Sequence, residues 1–154
     1  MKKILIVLLT LTLLLAGCNT PDTTPVSADM AAVYASMEST LPEMVMMNEG
    51  LMLNVCGIKS EHYVQAVVAV SDDGLRADEV WLIEAKDAAT LETLKTLANS
   101  RLEQKAAESE TYSPEQFAIV KKAKVLTNGN YLAVIVSPDV DTLATFFTDA
   151  FKKA

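Results

Sequence analysis

Cysteine, histidine and aromatic side chains are scarce in this chain of 154 residues, which has two cysteines, one histidine and 6% aromatic residues. Two cysteines exclude a disulfide scaffold. His62 and Cys56 together fall short of the three or four soft ligands of a zinc site. Any Ser–His–Asp or Cys–His machinery would have to use that one imidazole, and no G-x-S-x-G elbow is present. Positive charge is also short. The 13 lysines and arginines stand against 20 acids, a formal charge of −7, which argues against a nucleic-acid partner. No glycine-rich phosphate loop ending in Lys-Ser or Lys-Thr occurs. Asp72, Asp73, Asp78 and Glu79 lack the spacing of a calcium loop and read as a solvated hairpin turn. No catalytic residue, cofactor or metal centre is assigned from the sequence.

Apolar residues are in excess, at 51% with a mean hydropathy of +0.25, and the excess is uneven. Met1-Lys2-Lys3 is a basic start, and Ile4 to Leu15 is apolar except for Thr10 and Thr12. About a dozen residues rise only ~18 Å as a helix, short of the ~30 Å hydrocarbon core. The run therefore reads as an export signal rather than a permanent span. It ends in Leu15-Ala16-Gly17-Cys18, which resembles the lipobox of bacterial lipoproteins. The resemblance implies a diacylglycerol thioether on Cys18, cleavage before it, and a lipid anchor on the outer face of the cell membrane. Two acyl chains, at ~0.8 kcal/mol per buried methylene, make a stable anchor. Loss of residues 1–17, with Lys2 and Lys3, takes the 154-residue chain at −7 to 137 residues at −9. Anionic lipid heads repel such a domain, so the lipid and not a basic patch must hold it. Cys56 is then left without an intrachain partner.

The expected organisation is a signal peptide over 1–17, a lipidated cysteine and short linker over 18–28, and one α+β domain over 29–154. Asn19 to Ser27 is rich in Thr, Pro and Asp and reaches ~30 Å when stretched. Ser27 is the expected cap of a first helix carrying Met30, Val33, Tyr34 and Met37 at helical spacing. Leu41 to Met47 reads as extended or irregular, and Glu49 to Val55 as a short helix closed by Gly57. Tyr63–Ser71 and Glu79–Ala85 form one predicted hairpin. Val125 and Leu126, Asn128-Gly129 and Tyr131–Val136 form another. A long helix follows Asp87, carrying Leu91, Leu94, Leu97, Ala98, Arg101 and Leu102 on its stripe and edge. Ser113-Pro114 opens a short helix, and Pro138 or Asp139 opens the last. Asp87–Ala98 weakly repeats in Asp139–Ala150, so both halves read strand–strand–helix. The expected fold is a four-stranded, mainly antiparallel sheet of two hairpin-plus-helix units, preceded by an N-terminal helix, with the helices packed on one face.

Leu41-Pro42-Glu43-Met44, Ala77-Asp78-Glu79-Val80 leading to Glu84-Ala85-Lys86-Asp87, Tyr112-Ser113-Pro114-Glu115-Gln116 and Asn128-Gly129-Asn130-Tyr131 occur in that order. With them the chain resembles the small bacterial lipoproteins, mostly from Gram-positive organisms, that carry domain of unknown function 4358. The resemblance spans about residues 30–153. It implies the same address and domain extent and supplies no catalytic residue.

Two groups of side chains remain. Met44, Met46, Met47 and Met52 crowd near Cys56 and His62. They suit adaptable core packing, a contact surface formed by Met44, Met46 and Met47, or Cu(I) binding through thioether and thiolate. Glu43, Glu84 and Glu115 could pair as acid and base in a cell-envelope hydrolase. The favoured expectation is a non-enzymatic domain that binds a protein, peptide or envelope ligand, with the acid-based hydrolase and the copper protein as alternatives.

Overall fold

The computed structural model describes residues 27–152. The expected signal peptide, the box Leu15-Ala16-Gly17-Cys18 and most of the linker lie outside the described residues. Among the described residues no helix is long and apolar enough to cross a membrane.

Local chemistry sets most element ends. Helix α1, Met30–Met37, is capped by Asp29, whose carboxylate accepts from the amides of Ala31 and Ala32, and not by Ser27. Helix α2, Glu49–Cys56, starts at Asn48 and ends at Gly57, whose φ of 72° only glycine adopts freely. Asp87 caps α3, Ala88–Tyr112, and Ser113 caps α4, Pro114–Lys121, with the proline in its first turn. Helix α5, Val140–Asp149, follows the last strand.

The sheet has five strands, one more than expected: β1 (Met44–Met46), β2 (Tyr63–Ser71), β3 (Glu79–Ala85), β4 (Lys124–Asn128) and β5 (Tyr131–Val136). Their order is β1-β2-β3-β5-β4, and every neighbouring pair is antiparallel. The extra strand is three residues long and pairs with the β2 edge, where the Met47 amide donates to the Val68 carbonyl. Asn128 pairs with Tyr131 across a two-residue loop. Gly129 takes a φ of 54° there while Asn130 keeps a negative one, the pattern of a type II′ turn.

The helices cover both faces of the sheet, which corrects the expectation of one. Alternation along β3 sends Val80 and Leu82 to one side and Trp81 and Ile83 to the other. The first side packs on Met30, Val33 and Met37 of α1 and on Leu143 and Phe147 of α5. The second packs on Met52 and Cys56 of α2 and on Leu91, Leu94 and Ala98 of α3. Strands β3 and β5 are apolar runs buried on both sides, so each face needs its own cover. Each fully buried large side chain contributes about 1.5–3 kcal/mol.

Candidate functional site

The α2–α3 side is apolar along most of its length and charged at one end. Strand β3 begins with Glu79, in phase with Trp81 and Ile83 and only 1% exposed. On α3 the inward positions Leu94 and Ala98 are followed, at helical spacing, by Arg101 and Lys105. The stripe thus turns cationic where it meets the carboxylate. Arg101 donates Nε to both Glu79 oxygens (3.1 and 3.2 Å) and Nη2 to Oε2 (2.9 Å). Lys105 Nζ lies 2.8 Å from Oε2, and Trp81 Nε1 donates to Oε1 at 2.7 Å. Burial by itself would raise the Glu79 carboxyl. Hydrogen bonds from Arg101 and the charges of Lys105 and Arg101 outweigh it and hold the pKa below the usual carboxylate value.

Beside this cluster opens a cleft of about 380 Å³. Val45 of β1 and Leu51 and Val55 of α2 line it on one side, Tyr112 on another, and all four are exposed. Arg101, Lys105, Glu108, Arg76 and Asp78 bring charge to it. Asp78 is 1% exposed. Its Oδ2 accepts from Arg76 Nε at 3.0 Å, while Oδ1, buried, has no hydrogen-bond partner among the described residues. The loop that presents Arg76 and Asp78 is fixed at three points. The Ser71 amide donates to the Asp78 carbonyl, Asp73 Oδ1 accepts from the Leu75 amide, and Gln116 Oε1 accepts from the Ala77 amide at 2.8 Å. The stretches Ala77–Val80 and Tyr112–Gln116, distant in the chain, therefore meet at one cleft.

The turn acids are not all solvated. Asp72 and Asp73 are exposed, but Asp78 and Glu79 are buried against arginines and lysine. Their signal was the phase of Glu79 with Trp81 and the basic end of the α3 stripe. The methionines divide. Met44 packs against the α1–α5 core, Met46 is exposed, and Met47 and Met52 join the α2–α3 core. Of the three proposed contact methionines, Met47 alone lines the cleft. Cys56 is buried, with Sγ 3.9 Å from Met47 Sδ. Burial first, and the nearby Glu79 charge second, push its thiol up to about 12 against the opposing pull of Arg101 and Lys105. That shift favours the neutral thiol at pH 7. His62 sits half-buried in a turn of 3₁₀ helix, its Nδ1 accepting from the Lys59 amide at 3.2 Å.

Glu43, Glu84 and Glu115 stand in three settings. Glu43 is exposed just before β1, and its carbonyl accepts from the Asp72 amide. Glu84 holds Gln65 Nε2 at 2.7 Å, and Glu115 is exposed in the first turn of α4. Among the described residues three carboxyls have displaced pKa values, Glu79, Asp87 and Asp141, and all three move down. That direction suits ion pairing and helix capping. Among the described residues no cluster of three or more His, Cys, Asp or Glu side chains is placed to hold a metal ion.

No curated protein and no solved structure matches the chain. The family model described as domain of unknown function DUF4358 matches residues 35–137, about two thirds of the sequence. That span holds the whole sheet and every residue named at the cleft, and the chain belongs to the DUF4358 family.

Proposed function

We propose that this protein is a lipid-anchored extracytoplasmic lipoprotein whose domain binds a ligand in the α2–α3 cleft and performs no chemistry on it. The observation that carries the binding reading is the cleft itself. It joins exposed apolar walls to a buried carboxylate oxygen that has no partner among the described residues. With its carboxyl pulled down by Arg101 and Lys105, Glu79 fits a charge-fixing role at the cleft better than that of a general acid, which needs a raised pKa. The address is supported by a basic start, an apolar run and Leu15-Ala16-Gly17-Cys18 in that order.

Metabolic labelling with a fatty-acid probe is expected to mark the wild type and not Cys18→Ala; equal labelling of both rejects the anchor. For the cleft, the detergent-solubilised protein and Val55→Arg are each incubated with an envelope extract, and everything they retain, small molecules included, is identified by mass spectrometry. The arginine projects into the cleft from an exposed position on α2. A component held by the wild type and lost by Val55→Arg is the expected result. Identical capture by both rejects the cleft as the binding site.

A further inference from the structure

Three properties of the cleft narrow its ligand. The first is the unpartnered oxygen. Asp78 is 1% exposed, its Oδ2 is engaged by Arg76, and its Oδ1 accepts nothing among the described residues. An ionised carboxylate oxygen can only accept, so whatever completes it brings a donor. Leaving such a group unmet costs at least about 1–3 kcal/mol. The second is unused donor capacity. Lys105 Nζ meets Glu79 with one of its three hydrogens, and Arg76 meets Asp78 through Nε and Nη2, which leaves Nη1. Both residues border the same cleft and can take an anionic group. The third is charge balance. Arg76, Arg101 and Lys105 are matched by Asp78, Glu79 and Glu108, so a ligand of either net charge would leave one charge unbalanced in a partly desolvated site.

A donor, an acceptor and no net charge describe a zwitterion. The walls add a fourth requirement. Val45, Leu51, Val55 and Tyr112 are 43, 44, 38 and 61% exposed around the opening, an apolar surface that only an apolar ligand group would cover. A cavity of about 380 Å³ lies at the small end of the usual range for small-molecule sites.

Resting on the binding reading above, we propose that the cleft takes a small apolar zwitterion, a free α-amino acid or dipeptide with a hydrophobic side chain. Its ammonium donates to Asp78 Oδ1, its carboxylate lies on Lys105 and Arg76, and its side chain lies along Val55 and Tyr112. No bond is made or broken.

The test is calorimetric titration of the full-length, detergent-solubilised protein with leucine, phenylalanine and leucyl-leucine, with N-acetyl-leucine and leucine amide as controls. Saturable binding of at least one free zwitterion is expected, with acetylation and amidation each weakening it by about 10-fold or more. These controls alter only the ligand and are indifferent to how any variant folds. Asp78→Asn, checked for an intact melting transition, should lose binding by a similar factor. Absence of saturable uptake of every zwitterion, or equal uptake of leucine and N-acetyl-leucine, overturns the proposal; water alone then completes Asp78. The capture experiment with Val55→Arg separates the two levels. If zwitterions fail while Val55→Arg still abolishes capture, the ligand class falls and the cleft stands as a binding site. If both fail, both readings fall.

Discussion

The two faces of the sheet are covered in different ways. On the α1–α5 face the core is aliphatic and aromatic throughout, from Met30 and Met37 to Leu143 and Phe147. Its rim is closed by rings, with Phe151 lying 5.0 Å from Tyr131 and 5.2 Å from Phe147 between centroids. On the α2–α3 face Trp81, Ile83 and Leu94 pack as tightly, but one end encloses Glu79 with Arg101 and Lys105. Apolar residues of similar volume often replace a buried ion cluster with no loss of stability. The charged end is therefore not what the fold requires to stand. One face is apolar save for Gln65 and Glu84 where the chain enters α1, and the other keeps a cluster of charges fixed beside an opening.

Four changes would break or sharpen that contrast. Glu79→Ala should be the most severe. It strands Arg101 and Lys105, only 12 and 11% exposed at their side chains, and should lower unfolding stability by about 3–5 kcal/mol in urea titrations. A loss under 1 kcal/mol would mean the cations reach water unaided. Leu143→Ala, fully buried on the other face, should lose about 2–5 kcal/mol while leaving ligand uptake at the cleft intact. A parallel loss of uptake would show that the faces are coupled. The third is a pH effect. The folded Glu79 carboxyl sits below its ordinary 4.5. Its stabilisation is complete above that value and is lost as pH falls through the folded pKa. Acid unfolding curves of Glu79→Gln should therefore fall less steeply below about pH 4.5 than those of the wild type. Val55→Arg, on an exposed position, should change stability by no more than ~0.5 kcal/mol yet abolish capture. A large stability change there would place Val55 in the core and not on the wall.

Strands β2 and β3, both hairpins, the start of α3 after Asp87 and the cap at Ser113 were legible because each rests on short-range chemistry: valine-rich runs, an Asn-Gly turn, a cap followed by proline. Strand β1 was not, since three residues of Met-Val-Met carry no periodicity and become a strand only against β2. The two-sided cover was written in Val80-Trp81-Leu82-Ile83 and Tyr131–Val136, whose unbroken apolar runs exceed what one helical layer buries. The cleft was half legible. Arg101 stood at the edge of the predicted α3 stripe, but Asp78 and Glu79 looked like turn acids because nothing local reveals that α3 and α4 fold back over them.

Gln65 carries a last consequence. Its amide on β2 accepts from the Met30 amide (2.8 Å), donates to the Ala28 carbonyl (3.0 Å) and is steadied by Glu84. The chain leading to α1 is thus pinned beside Glu84, whereas the cleft lies by Glu79, at the other end of β3 and mainly on the other face. Along β3 that separation is roughly 17 Å. With the proposed lipid on Cys18, tension from the bilayer would enter at Gln65 and run into the paired strands, bypassing the opening. An anchor drawn sideways would then load the sheet end that carries Gln65 and leave the cleft walls at the Glu79 end unstrained.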